Sequence, residues 1–434
     1  MAIVTPSTST TTAAPESSAS YTAPLAVVTT LFFMWGFLTC LNDILVPHLK
    51  PIFDLNYRQI MLIQFAFFGA YFLFSIPSAK IIDWIGYQKS MVVGLLTMGL
   101  GAFLFVPAAS APSYPLFLAA LVVLAAGITC LQVAANPYVT VLGKPSTASS
   151  RLNLTQAFNS LGTFLAPFFG GLLILTAAPK TIEEIRAMAP DALQAYRLHE
   201  AATVKTPYVG LGIALVLLAV AIGSFKLPKI PHAQHKVGEK VDDSIWRHPN
   251  LIFGAIAIFV YVGAEVSIGS FLVNYFSQPE IGGLTEKVAA SFVAFYWGGA
   301  MVGRFIGSGL LQKMKTGHLL GICAVCAAAL VAISMLSTGH FAMWSIILVG
   351  FFNSIMFPSI FTLGVAELGP LTGDGSGVMI MAIVGGALIP LLQGAVADKI
   401  GIHHAFFLPV ICYLYILYFA LSGSKPNSER YART

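Results

Sequence analysis

Charge is what this chain has least of. Lys, Arg, Asp and Glu make up 9% of its 434 residues, while 57% are hydrophobic. A soluble protein of this size carries about a quarter charged residues to cover its surface. A water-soluble enzyme or binding domain is therefore excluded, and lipid must be the solvent. Cysteine is also sparse. Cys40, Cys130, Cys323, Cys326 and Cys412 all lie in apolar stretches, and no second Cys/His cluster completes a zinc site around Cys323 and Cys326. That pair reads as two small helix residues one turn apart. No phosphate-binding P-loop is present, so ATP-driven export is not expected, and no Ser/His/Asp set suggests an intramembrane enzyme. The net charge of +5 is spread over loops and forms no nucleic-acid patch. The first residues, 1–24, are rich in Ser, Thr and Ala and lack the basic and apolar regions of a signal peptide. They read as a disordered cytoplasmic tail.

What is abundant is apolar sequence in lengths that suit a bilayer. Spans of about 20 residues joined by short loops give roughly twelve crossings. They are expected near 25–47, 59–79, 88–108, 114–141, 151–176, 206–225, 250–277, 287–311, 317–337, 341–365, 374–397 and 403–423. Fourteen of the 23 Lys and Arg residues fall in segments on the side of the N-terminal tail. Eight fall on the other side, four of them in one loop balanced by Glu183, Glu184, Asp191 and Glu200, and Arg304 stands inside a span. By the positive-inside rule both termini are expected in the cytoplasm. The longest polar cytoplasmic stretch lies at the midpoint. The expected organisation is therefore a six-helix bundle over 25–225, a linker over 226–249, a second bundle over 250–423 and a tail over 424–434. A separate short amphipathic helix is expected outside the membrane over 179–205.

Against this background two acids stand out. Asp43 lies in the first span and Glu265 in the seventh, the first span of each half. An ionisable group in hydrocarbon costs roughly 3 kcal/mol on insertion scales, so it is usually paired, hydrated, protonated or functional. The pattern suggests a proton- or ion-coupled carrier with a site between its halves. The structural alternatives are a carboxylate bonded to backbone before Pro47 and a Glu265–Arg304 pair.

The halves also echo each other. Gln132 precedes Pro137 by five residues in the fourth span, and Asn353 precedes Pro358 by five in the tenth. Gly162, Pro167 and Gly171 in the fifth span have the spacing of Gly385, Pro390 and Gly394 in the eleventh. Parallel six-helix repeats imply a substrate site at their interface near the midplane.

Longer motifs carry a family likeness. The loop AKIIDWIGYQK (79–89) resembles the G-x-x-x-D-R/K-x-G-R/K-R/K loop of the major facilitator superfamily through Asp83, Gly86 and Lys89, with Ala79 and Trp84 departing from it. LNDILVPHLK (41–50), CLQVAANPYVTVLG (130–143) and RLNLTQAFNSLG (151–162) closely resemble the fucose–galactose–glucose proton symporters of that superfamily. With FFMWGF (32–37) and YVGAE (261–265), the likeness covers almost the whole chain and is nearest the bacterial glucose/galactose branch.

The resemblance implies an all-α membrane fold of twelve transmembrane helices in two pseudo-symmetric six-helix bundles, working by alternating access. It implies proton coupling at Asp43 and a sugar ligand at Asn159, with Gln156 matching a second polar residue of the fifth span. Gln132 stands where fucose permeases carry a cavity glutamate, and Glu265 stands where they carry glutamine. The carboxylate is thus expected to have moved across one cavity, which turns the expectation from fucose towards glucose or galactose.

An amide offers both a donor and an acceptor to a sugar hydroxyl. Gln132, Gln156 and Asn159 are the favoured ligands, and Asn274 and Asn353 are further candidates. Trp35 could stack on a pyranose face. Asp83 and Arg304 are read as gating or structural residues. No organic cofactor or metal is expected. The expected coupling ion is H+, with Na+ as the alternative; the expected partners are a monosaccharide and membrane lipid, and the protein is expected to act as a monomer in a bacterial inner membrane. The rival readings are a fucose or N-acetylglucosamine symporter and an exporter or antiporter of the same superfamily.

Overall fold

A computed structural model describes residues 21–53, 57–110, 113–173, 184–185, 187–230 and 243–426. Only the backbone is described for 41–53, 57–61, 64, 169–173, 197 and 200–204. Among these residues the chain is mostly helical, with no strand. In hydrocarbon every backbone N–H and C=O must be satisfied within its own segment, and a run of helices is one of the few ways to do so.

Ten stretches are long and apolar enough to cross a bilayer. One of them, Phe65–Ser110, has 46 residues. At about 1.5 Å per residue it is long enough to cross twice. It lies within the helical stretch Tyr57–Ser110, which reverses at Gly86, where φ is 81°. That backbone conformation is open to glycine and strained for residues with a Cβ, so Gly86 separates the second span from the third.

The fifth span, Ala148–Leu173, is too polar to count by composition, because it carries Arg151, Asn153, Gln156 and Asn159. Its inclusion makes twelve crossings among the described residues. The first is in Thr22–Phe53, the fourth is Tyr114–Val141, the seventh Pro249–Phe276, the eighth Glu286–Leu310 and the ninth Thr316–Leu336. The tenth is split into Gly339–Asn353 and Met356–Gly364. The eleventh is split into Thr372–Met381 and Gly385–Ile400, and the twelfth lies within Ile402–Gly423.

One expectation is corrected. Among the described residues, 190–205 do not form a separate short helix. A single 35-residue helix, Pro190–Ser224, runs from the loop through the sixth span. Residues 190–205 hold Ala, Leu, Gln, Arg and Glu and no glycine. Helix propensity therefore carries straight into the apolar run, and Pro207 is accommodated inside.

The spans pack in two groups of six. In the first, the fourth span lies against the second and third, the fifth against the first, and the sixth against the second–third helix. In the second, the ninth packs on the tenth and twelfth, the tenth on the eighth, and the eleventh and twelfth on the seventh. Between the groups, the fifth span meets the eighth and the second meets the eleventh. A shift of six spans maps one of these contacts onto the other, which is the mark of a two-fold relation between the halves.

The glycine repeat has the same basis. A Cβ at Gly162 would lie 2.2 Å from the Phe33 carbonyl oxygen, and a Cβ at Gly385 would lie 2.0 Å from that of Phe259. Glycine at these places lets the fifth span touch the first, and the eleventh the seventh, backbone to backbone.

Candidate functional site

The proline repeat builds the polar interior. An interior helical proline offers no N–H to the carbonyl four residues earlier. Pro137 thus leaves the Val133 carbonyl free, and Pro358 leaves that of Ser354. Both are taken up by side chains. Ser376 Oγ, on the eleventh span, donates to Val133 O at 2.8 Å, and Arg304 Nε donates to Ser354 O at 3.3 Å. The amide just before each freed carbonyl finds a tyrosine. Gln132 Nε2 donates to Tyr71 Oη at 2.8 Å, and Asn353 Nδ2 donates to Tyr296 Oη at 2.9 Å. Fourth-to-second and tenth-to-eighth are again equivalent pairs of spans.

In the first bundle the predicted amides come together. Gln132 and Asn136 are one turn apart on the fourth span, and Gln156 and Asn159 share a face of the fifth. Gln156 Nε2 donates to Asn136 Oδ1 at 3.2 Å, and Asn159 Nδ2 donates to Phe32 O at 2.9 Å. Trp35 is buried beside them, edge-on to Phe32 with ring centroids 5.4 Å apart. Its neighbour Gly36 abuts Asn159. Among the described residues, Asn136 Nδ2 has no partner. Such a strip can bind a polyol by exchanging its internal amide bonds for bonds to hydroxyls.

In the second bundle Glu265 accepts a hydrogen bond from Tyr261 Oη at 2.8 Å, and the same hydroxyl reaches Asn353 O at 3.1 Å. Glu265 is surrounded by protein yet keeps part of its surface accessible, as a cavity-wall residue does. Arg304 lies within electrostatic reach of Glu265, but the two form no ion pair within 4.0 Å. The guanidinium instead donates through Nη1 to Ser160 Oγ on the fifth span, one turn from Gln156. Asn153 Nδ2 donates to Arg304 O at 2.7 Å. Arg304 is therefore a link between bundles.

Asp83 belongs to the closed end of the molecule. Lys80 Nζ lies 2.8 Å from Asp374 Oδ1 in the other bundle and 3.6 Å from Asp83 Oδ2. Ser149 Oγ and Thr362 Oγ1 are 2.6 Å apart, Thr316 Oγ1 donates to Ser149 Oγ at 2.9 Å, and Ser150 Oγ donates to Ser308 O at 2.8 Å. The two bundles are thus sealed by hydroxyls at the end bearing Lys80, Arg151 and Lys315.

The side chain of Asp43 lies outside the described residues. Asn274 stands apart from the cluster: it is exposed, nine residues beyond Glu265 on the seventh span, or about 14 Å along the helix. Gln393, on the eleventh span, is fully buried, and both its amide atoms are unpartnered among the described residues. Tyr261, Tyr296, Asp374, Ser160 and Ser376 were not legible as site residues. Tyr261 could have been found from its one-turn spacing to Glu265, whereas the others come from distant spans without a local signal.

The Lys80–Asp374 pair yields a prediction. Lys80 is about half exposed, so the pair contributes about 1 kcal/mol or less. Asp374→Asn should raise the alkylation rate of a cysteine placed at Ser376 by about threefold, as the closed end opens more often. An unchanged rate would show that the pair does not hold this end shut.

This architecture, two related six-span bundles around a polar interior, is that of a carrier. The chain belongs to the Major Facilitator Superfamily, whose family model matches residues 26–383. It is 53% identical over 410 residues to the glucose/galactose transporter of Brucella abortus, covering 94% of this chain and 96% of that one. It also resembles the crystal structure of the Escherichia coli fucose:proton symporter, with a TM-score of 0.87 at 35% identity, covering 94% of this chain and all of that one. A structure of the fucose transporter in the outward conformation matches with a TM-score of 0.86 at 35% identity, over 93% of this chain and 99% of that one.

Proposed function

We propose that this protein imports a neutral hexose of the glucose/galactose type together with a proton, by alternating access, across a bacterial inner membrane. The observation that carries this reading is the full-length likeness to a glucose/galactose transporter at 53% identity, on a chain whose interior presents the amides a sugar needs. Gln132, Gln156 and Asn159 take sugar hydroxyls, Trp35 packs against the ring, and Asn353 supports the opposite wall. Asp43 carries the proton, with Glu265 as a second titratable group. Protonation neutralises a carboxylate before it crosses the low-dielectric centre, and water access on either side changes its affinity for the proton. The sealed end carries Lys80, Arg151 and Lys315, and by the positive-inside rule this supports a cytoplasmic position for it and for both termini. The state described is then outward-facing. The protein works as a monomer in lipid.

Radiolabelled glucose uptake into proteoliposomes, with and without an inward proton gradient at fixed sodium, tests the reading. Gradient-driven accumulation is expected, competed by galactose, and lost in Asp43→Asn while exchange persists. Accumulation driven by sodium alone would replace the proton with Na+ as the coupling ion. No glucose flux through folded protein would remove the hexose assignment.

A further inference from the structure

Tyr261 has one hydroxyl hydrogen and two acceptors, Glu265 Oε1 at 2.8 Å and Asn353 O at 3.1 Å. The second acceptor is the last residue of the first half of the tenth span. The next carbonyl, Ser354 O, is the one that Pro358 leaves without a backbone donor and Arg304 Nε takes up. The same guanidinium donates to Ser160 in the other bundle. An unbroken line of hydrogen bonds and adjacent residues thus runs from a carboxylate in the seventh span, through the break in the tenth, to the contact between bundles. The other titratable groups around Glu265 among the described residues are Tyr296 and Arg304 on the eighth span and Tyr413 on the twelfth. None of these stands between Tyr261 and either acceptor.

We propose that Tyr261 is a positioning residue that couples the charge on Glu265 to the break in the tenth span, and through Arg304 to the seal between the bundles. When Glu265 is ionised, the charge-assisted bond is the stronger one and the tyrosine hydrogen points at the carboxylate. When Glu265 takes a proton from solvent, its own O–H donates to Tyr261 Oη. The tyrosine hydrogen then turns to the Asn353 carbonyl. One proton enters, it rests on Glu265, and Tyr261 keeps its own. The bond gained at Asn353 O changes the restraint on the short turn that separates the two halves of the tenth span, beside the carbonyl that anchors Arg304. This inference rests on the reading that Glu265 changes protonation state during transport.

The test is an infrared pH titration of the purified full-length protein in lipid nanodiscs, which needs no sugar. The carboxylic acid band absent from Glu265→Gln identifies Glu265. Tyr261→Phe, which removes the hydroxyl and keeps the ring, is expected to displace the midpoint of that band by about one pH unit, the scale of one lost charge-assisted hydrogen bond. A fluorinated tyrosine at 261 keeps the hydroxyl, makes it a stronger donor, and should displace the midpoint in the opposite sense. It also decides the matter if Tyr261→Phe does not fold. In proteoliposomes, Tyr261→Phe added to Glu265→Gln should cause no further loss of accumulation, because a residue that acts through another is non-additive with it. An unmoved midpoint in both tyrosine variants, an additive loss, or no band that disappears in Glu265→Gln would each overturn the proposal. A wild-type protein that accumulates glucose in those cases keeps the symport reading intact. A wild-type protein that does not accumulate, with the midpoints displaced as expected, sinks only the symport reading.

Discussion

Oxidation of a Ser149→Cys, Thr362→Cys double variant should stop sugar transport, lowering it by about tenfold or more, since the rocking of one bundle against the other is the transport step. Ser149 and Thr362 are buried on opposite bundles, and their hydroxyl oxygens are 2.6 Å apart. Side chains whose terminal oxygens touch across the two bundles are the natural pair to bridge. The bond would hold shut the end sealed by Lys80 and Asp374, and solute entering from the open side could not leave by the other. Reduction should restore uptake. The five native cysteines form no disulfide among the described residues, and Cys130, Cys323 and Cys412 are buried. Thiol counting before and after oxidation therefore measures the new bond against a known background. Full transport with the bridge formed would mean that this end does not separate during the cycle.

Gly385→Val should fail at folding rather than at transport, and Gly162→Val should follow it. A Cβ at these positions would lie 2.0 Å from Phe259 O and 2.2 Å from Phe33 O. The obstacle in each case is backbone, which cannot rotate away as a side chain can. Overpacking a well-filled core costs about 1–3 kcal/mol and sometimes more, and here whole helices would have to part. Both variants should give little protein in the membrane, and any that is purified should lose sugar-dependent thermal stabilisation. Gly298→Ala is the contrast. A Cβ there meets nothing within 4 Å, and alanine is the better helix former by about 1 kcal/mol, so stability should hold or rise slightly. Equal behaviour of Gly385→Val and Gly298→Ala would refute the close packing of the seventh and eleventh spans.

Particular residues show how far the sequence could be read. The fourth span was expected over 114–141 and is Tyr114–Val141. Several others agree to within a residue or two, because hydrophobic length is a local property that a bilayer enforces. The repeats 132/137 and 353/358 were visible as spacings, but their meaning was not. That each proline frees the carbonyl beside an amide follows from helix geometry. That Ser376 takes up Val133 O, and Arg304 takes up Ser354 O, depends on which distant spans are neighbours.

Glu265 was picked out as an acid in hydrocarbon, with Arg304 as a possible ion-pair partner. The fold gives Glu265 the hydroxyl of Tyr261, and turns Arg304 towards Ser160 and Ser354. Residues 190–205 are helical, as their composition suggests, but they continue into the sixth span instead of standing apart. Charge and composition marked 190–205 as polar, but polarity does not end a helix, and no glycine intervenes before the sixth span.

The sequence by itself determined that the solvent is lipid, that the chain crosses it about twelve times in two related halves, and which few polar groups must be accommodated inside. Those are consequences of composition and period, and each residue contributes to them independently. Only the tertiary structure decided which polar group meets which: Gln132 with Tyr71, Glu265 with Tyr261, Asp374 with Lys80, Arg304 with the opposite bundle. Lipid offers no hydrogen bonds, so most buried donors find their acceptors within the protein, and those acceptors are set by the packing of helices far apart in the chain. Spacing along one helix does not encode it.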